Sequence, residues 1–266
     1  MRDLAIERGM KAWMCLVFGF LFIPIFVVVA FSFNGGRNLY VWEKFSTVWY
    51  TVALENPTVI RALWVSAESA LINAVAAVIF GTLAGLALAR RKGRWTRPFA
   101  TLMFFVLTAP ELVVGIGSLI WFDQIGFTWG IGRIAVAHSL FDIAIVALVV
   151  RGRAEGLGES IEQAAADLGA PPLRAFLGVT LRMMLPAIVA GGLLAFTFSF
   201  DNVIISMFVQ RPGATTLPVH ILSSFKTGLR GDVAAVVVMA LGITLAVILS
   251  AVWLLQAGSR RTGMDT

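Results

Sequence analysis

The chain alternates between long apolar runs and short polar segments. Six runs reach about 20 residues or more, which is the length that a helix needs to cross the hydrocarbon core of a bilayer. We therefore predict an all-α membrane protein with six transmembrane helices in a single domain, residues 1–266. The predicted spans are residues 12–33, 58–89, 98–120, 131–150, 187–208 and 234–255.

The first apolar run, residues 12–33, could instead be the core of a cleaved signal peptide. Such a core is only about 7–15 residues long. The length of this run therefore favours a retained transmembrane helix, which Pro24 is expected to kink.

Composition agrees with a membrane location. Hydrophobic residues make up 59% of the chain and charged residues 14%, whereas soluble domains carry about 25% charged residues. Cys15 is the single cysteine, so a disulfide framework and a cysteine-rich metal site are excluded within the chain. The sequence contains no phosphate-binding loop, and any nucleotide chemistry must come from another chain.

The net charge of +6 comes from basic residues in short loops between the apolar runs. This distribution argues against nucleic-acid binding, because an excess of Lys and Arg in short loops marks the cytoplasmic side of a membrane protein. We predict that both termini and residues 151–186 are cytoplasmic, whereas Arg133 is counted with the sparse charges of the opposite loops. The densest basic cluster, also predicted cytoplasmic, is Arg90, Arg91, Lys92, Arg94 and Arg97.

Residues 160–186 form a polar stretch that is predicted to fold as two short helices. Ser160 followed by Gln163 matches a capping box at the start of the first helix. Gly169 can adopt the left-handed conformation that ends a helix, and Pro172 can occupy the first position of the second helix.

The first of these helices would expose a surface of small side chains, to which Ala164, Ala165 and Leu168 contribute. Small side chains let another protein approach the backbone closely. We predict that this surface docks onto a partner protein. The alternative is an amphipathic linker packed against the protein's own helices, since interfacial amphipathic helices are common.

The pattern Gln163-Ala164-Ala165, three further residues and Gly169 resembles the cytoplasmic loop of permease subunits in binding-protein-dependent ABC importers. The likeness extends over most of the chain and is greatest to the permeases of spermidine/putrescine importers. Two departures are visible, because Gln163 replaces the family's usual Glu and Leu181-Arg182 replaces its Leu-Pro. The further matching segments are Pro110-Glu111, Ala137-His138, Ser199-Phe200-Asp201-Asn202 and Pro212 to Pro218.

The resemblance implies the fold of a type I ABC importer permease in a bacterial inner membrane. It implies a non-catalytic subunit whose partners are a second homologous permease, two ATPase subunits and an extracytoplasmic substrate-binding protein. The chain itself would bind no cofactor, because ATP and Mg belong to the ATPase subunits. The coupling residues it implies are Glu162, Gln163, Ala164, Ala165, Asp167, Leu168, Gly169 and Pro171.

Four acidic residues, Glu68, Glu111, Asp142 and Asp201, fall inside the predicted spans. A carboxylate at the bilayer centre costs about 2.5–3.5 kcal/mol on insertion scales, so each needs a reason to be there. We predict that Glu111, Asp142, Asp201 and the neighbouring Asn202 line a path for a cationic solute.

The alternative is that these acids are protonated, paired with an Arg of a neighbouring subunit, or bonded to polar side chains of this chain. His138 on its own is expected to be a hydrogen-bonded packing residue. The candidate polar partners are Asn73, His138, Ser199 and Asn202.

Taken together, the residues and the resemblance predict the permease subunit of an ATP-driven polyamine importer. Another small amine, such as 4-aminobutyrate or an opine, is the alternative solute. A secondary transporter or channel that works without ATP is the alternative class, because intramembrane acids also suit proton-coupled carriers.

Overall fold

The computed structural model describes residues 2–36, 41–91, 93–157, 160–226, 228 and 230–261, excepting the side chains of residues 2–5, 160–161, 251 and 254–261. The predicted all-α fold class is confirmed, since the described residues contain no strand beyond an isolated bridge between Asn34 and Phe45. The helices are α1 (Arg2–Ser32), α2 (Val48–Glu55), α3 (Pro57–Arg90), α4 (Thr96–Thr108), α5 (Glu111–Gln124), α6 (Gly130–Leu157), α7 (Ser160–Asp167), α8 (Pro172–Ala175), α9 (Leu181–Asp201), α10 (Ile204–Val209), α11 (Leu217–Phe225) and α12 (Gly231–Arg261).

Within the described part of the chain, five helices are long and apolar enough to cross a membrane, and the count rises to six if α4 and α5 form one broken span. One of the five runs unbroken from Pro172 to Asp201, because the π-helical turn Phe176–Thr180 joins α8 to α9. The second short helix expected before residue 187 is therefore the beginning of this long helix. The expectation of a separate element was wrong, since Pro172 starts a helix and no residue between Ala175 and Leu181 ends it.

The third apolar run, predicted as a span over residues 98–120, is broken in its middle at Pro110. α4 ends at Thr108, α5 begins at Glu111, and the two helices are bent by 102°. Ala109 between them is extended, with ψ 132°. The cause is Pro110, whose ring disfavours helical backbone at the preceding residue and which has no N–H to donate.

The fifth apolar run is also interrupted, so the single helix predicted over residues 187–208 is wrong in its second half. α9 ends at Asp201 and α10 begins at Ile204. The side-chain oxygen of Asn202 accepts hydrogen bonds from the backbone N–H groups of Ile205 at 3.0 Å and Ser206 at 3.4 Å. Asn favours such capping over a place inside a helix, and this explains the break.

Two compact units are distinguished along the chain, Met1–Ile60 with Ile221–Gly242 and Arg61–His220 with Ile243–Thr266. In the first, the indole of Trp49 donates to the backbone carbonyl of Asn34 at 2.9 Å. The second unit contains all of the predicted site residues. Its main core lies where α3, α6 and α9 meet, and its buried members are Ala74, Ala77, Leu86, Val146, Val150, Ala154, Met184, Ala187, Ile188 and Ala195.

Small residues allow the close approach of α3 to α6, as is usual between membrane helices. A Cβ added at Gly85 of α3 would lie 2.5 Å from the carbonyl oxygen of Ala147 and 3.0 Å from Cβ of Val150. The backbone of α6 therefore occupies the space that any side chain at position 85 would need.

The substitution Gly85→Ala is expected to lower the free energy of unfolding by about 1–3 kcal/mol, because an overpacked core must shift its backbone. Thermal unfolding of the purified protein in detergent measures this. The matched control is Gly152→Ala in α6, where an added Cβ meets nothing within 4 Å. The control should be neutral or stabilising, since Ala is the better helix former. Equal unfolding temperatures for the two variants would contradict the packing described here.

Candidate functional site

The helix α7 ends as its sequence predicted. Gly169 has φ +82°, its N–H donates to the carbonyl of Ala166 at 2.9 Å, and the N–H of Ala170 donates to the carbonyl of Ala165 at 3.0 Å. These two bonds form a Schellman motif, in which a left-handed residue closes the helix. Pro172 then occupies the first turn of α8, as expected. α7 begins at Ser160, whose side chain lies outside the described residues, so its capping role stays a prediction.

The outward surface of α7 and the turn after it is the candidate docking surface. Leu168 is 89% exposed at the end of the helix. Ala165 is half-buried and Glu162 is held within the chain, so these two contribute less to this surface. The exposed members of the predicted coupling set, which define the docking surface, are Gln163, Ala164, Asp167, Leu168, Gly169 and Pro171.

Glu162 differs from the rest of the predicted coupling set because its carboxylate is engaged inside the chain. One carboxylate oxygen forms an ion pair with Nη1 of Arg90, the last residue of α3. The other oxygen accepts a hydrogen bond from the hydroxyl of Thr180, at the end of the π-helical turn. This carboxylate thus joins three elements that are distant in sequence.

A cavity of about 150 Å³ lies where the two helix breaks meet. It brings together three of the four predicted path residues, Glu111, Asp142 and Asn202. Glu111 starts α5 directly after the first break, and Asn202 lies in the second break. The full lining is Val106, Ala109, Glu111, Val114, His138, Leu140, Phe141, Asp142, Phe198, Asn202 and Ile205.

Asp142 is the buried acid of this cavity and is 2% exposed. Its Oδ2 accepts a hydrogen bond of 2.6 Å from the amide of Asn73 in α3, which also donates to the carbonyl of Ala195 at 3.2 Å. Its Oδ1 has no hydrogen-bond partner among the described residues. This oxygen is also inaccessible to solvent, and an unsatisfied buried carboxylate oxygen is costly.

Comparison with known proteins decides the family. Residues 77–263 match the inner membrane components of binding-protein-dependent transport systems. This chain belongs to that family. The permease is 37% identical over 251 residues to the putrescine transport system permease protein PotI of Escherichia coli (strain K12), covering 91% of this chain and 89% of PotI. It is 33% identical over 238 residues to the spermidine/putrescine transport system permease protein PotC of Haemophilus influenzae, covering 90% of this chain and 93% of PotC.

A solved structure shares the fold of the permease. A bacterial alginate ABC transporter, in complex with an alginate pentasaccharide-bound periplasmic protein, matches with a TM-score of 0.74 at 14% identity, covering 99% of this chain and 96% of that chain. The resemblance stated from the sequence is therefore confirmed, and so is the fold of a type I ABC importer permease. The chain is a multi-pass membrane protein of the permease class.

His138 of the permease has two polar partners, which confirms the expectation of a hydrogen-bonded residue. Its Nδ1 lies 2.7 Å from the hydroxyl of Ser199 in α9, and its Nε2 lies 3.1 Å from the hydroxyl of Ser206 in α10. The imidazole therefore holds α9 and α10 in place on either side of Asn202. It also lines the cavity, which sequence reasoning did not foresee.

Asp201, the fourth predicted path residue, does not line this cavity. Its two carboxylate oxygens each lie 3.2 Å from the hydroxyl of Thr244 in α12, and the side chain is exposed. Asp201 and Asn202 are adjacent in sequence, but the helix ends between them and their side chains have different surroundings.

Arg133, expected among the loop charges, lies in the first turn of α6 and is 1% exposed. Its Nη1 lies 2.7 Å from Oδ1 of Asp123, and its guanidinium lies over the ring of Phe122 at 5.3 Å. Arg133 therefore belongs to the buried face of the helix and not to the loop, and the exposed carboxylate of Asp123 pairs with its charge. The signal that could have found the pair is Asp123, an acid ten positions earlier.

Proposed function

We propose that this permease forms one half of the translocation path of an ATP-driven importer for putrescine or spermidine. The observation that carries the proposal is the meeting of two helix breaks and three polar side chains, Glu111, Asp142 and Asn202, at one cavity. Non-helical backbone at membrane depth is tolerated where it is buried in protein or lines a water-filled cavity. The names of the relatives PotI and PotC support an amine as the solute.

The chemistry of the cavity suits a polyamine. Each ammonium group needs a counter-charge when its water is removed, and Glu111 and Asp142 supply two carboxylates. Hydrogen bonds between ionised partners are the strong ones. Phe141 and Phe198 form an apolar wall of the cavity that can contact the methylene groups of a polyamine. Aromatic faces also attract cations.

The alternative solutes, 4-aminobutyrate and opines, carry a carboxylate as well as an amine. Two acidic side chains at the same cavity repel that carboxylate, so the cavity favours an amine without an acid group. Asp201 lies outside this cavity, bonded to Thr244, and in this proposal it lines another part of the path.

The assembly proposed for the chain has both termini and the docking surface on the cytoplasmic side of a bacterial inner membrane, as the basic loops favour. A second homologous permease completes the path, two ATPase subunits dock on the α7 surfaces, and an extracytoplasmic binding protein delivers the solute. ATP and Mg bind to the ATPase subunits. Closure of the ATPase pair on ATP draws the docking surfaces together and opens the cavity outward, and hydrolysis resets it.

The decisive experiment is uptake of radiolabelled putrescine by proteoliposomes that contain this chain with its second permease and ATPase subunits. Uptake should require ATP on the ATPase side and the binding protein on the other. Spermidine should compete with putrescine, whereas 4-aminobutyrate should not. Uptake driven by a proton gradient in the absence of the ATPase would instead establish a secondary transporter.

A further inference from the structure

The docking helix α7 is attached to the body of the permease by a three-residue contact, here called the clasp. It consists of Arg90 at the end of α3, Glu162 in the first turn of α7 and Thr180 just before α9. Glu162 uses one oxygen for the guanidinium and the other for the hydroxyl. Both oxygens of this carboxylate are therefore engaged within the chain.

The clasp stands apart from the other ion pairs of the described residues. Those pairs join residues at most ten positions apart, whereas Arg90 ends α3 and Glu162 lies in α7, with α4, α5 and α6 between them in sequence. The side chains of Arg90 and Glu162 are 22% and 28% exposed, and Thr180 is buried. The dipoles of both helices favour the pair, because Arg90 lies at a helix C-terminus and Glu162 at a helix N-terminus.

Apolar packing beside the clasp is incomplete. A cavity of about 510 Å³ separates α7 from the end of α3 and from α8, with Leu86, Ala166 and Phe176 among its lining residues. This cavity is partly open to solvent, so its apolar lining residues do not pack against one another across it. The ion pair and hydrogen bond of Glu162 connect α7 to α3 and to Thr180 beside this gap.

We propose that Glu162 is a positioning residue that transmits movement of α7 to α3 and α9, and that it does not contact the ATPase. The proposal rests on the proposed function. A helix of eight residues that is displaced by a partner moves the spans only if it is fastened to them. Otherwise the turn at 168–171 absorbs the movement, as element-terminal residues do in hinges. The clasp fastens α7 to two spans at once.

The test measures ATP hydrolysed per putrescine transported, together with the amount of ATPase that co-purifies, in the complete reconstituted complex. The variants Glu162→Gln and Arg90→Gln should each retain the ATPase but raise the ATP used per solute by about fivefold or more, since a coupling energy is lost. The charge exchange Arg90→Glu with Glu162→Arg should recover at least half of the lost coupling. Arg91→Gln removes the same charge one position further along the chain and is the matched control. It should use the same amount of ATP per putrescine as wild type.

Thr180→Val removes only a hydrogen bond. If the charge variants do not assemble into the complex, the coupling can still be measured with this variant. It should raise the ATP used per solute by about twofold or more. The proposal is overturned if Glu162→Gln releases the ATPase while Arg90→Gln retains it, because Glu162 would then contact the ATPase directly. It is also overturned if none of the variants changes the coupling. If the wild-type chain itself retains no ATPase, the result contradicts the proposed function and not only the role of the clasp.

Discussion

Replacing Leu168 by Ala is expected to weaken the binding of the ATPase to the permease by about 10- to 100-fold, because burying a Leu side chain contributes about 1.5–3 kcal/mol. Leu168 is 89% exposed on the docking surface and lies beside Gly169, where the backbone is open to a partner. Leu168→Glu should abolish the complex, since it places a carboxylate in an apolar contact. The measurements are the affinity for the purified ATPase and the solute-stimulated ATP hydrolysis of the complex.

The matched control is Leu71→Ala in the middle of α3, where the leucine is 59% exposed but lies in an apolar span. This variant should bind the ATPase like wild type. A Leu168→Ala variant with unchanged affinity would show that α7 packs elsewhere. The alternative of an amphipathic linker would then be preferred.

Replacing Asp142 by Asn is expected to reduce putrescine uptake by about tenfold or more, because a charge-assisted hydrogen bond contributes about 1.5–3 kcal/mol. Asn has the same shape and can still accept the hydrogen bond from Asn73, so the helix packing is preserved. The loss therefore reports the missing negative charge at the cavity. Initial uptake rates over a range of putrescine concentrations provide the measurement.

Three further variants distinguish the effect of acidic residues at the cavity from the effect of acidic residues elsewhere. Glu111→Gln, which also removes a charge from the cavity, should impair uptake in the same way. Asp201→Asn tests the acid outside the cavity. Glu7→Gln is the control, because its exposed pair with Lys11 contributes little. Unchanged apparent affinity and rate in both Glu111→Gln and Asp201→Asn would defeat the idea of an acidic path, and an unaffected Asp142→Asn would remove this cavity from it.

The two helix breaks explain why the cavity lies where it does. Prolines do not all break the long apolar helices: α1 continues through Pro24 and α9 continues through Pro186, while the chain bends by 102° around Pro110. All three remove a backbone donor, and neighbouring helices can compensate for that loss. Whether a proline breaks a span thus depends on what surrounds it.

Local sequence determined the features that depend on a few neighbouring residues. The apolar runs predict the all-α membrane fold through hydropathy alone. Gly169 and Pro172 delimit α7 and α8 because backbone conformation at those positions is set by the residues themselves. The family was also recognisable, since its motif is contiguous in the sequence.

Only the tertiary structure decided which polar groups meet. Asp142 finds Asn73, which is 69 positions away, and Asp201 is excluded from the cavity that holds Asn202. Glu162 points to Arg90 and Thr180, although its motif predicts a contact with another protein. The physical reason is that hydropathy and capping depend on residues that are close together in the sequence. The partner of a buried charge depends instead on how the helices pack, because a buried charge without a partner is destabilising.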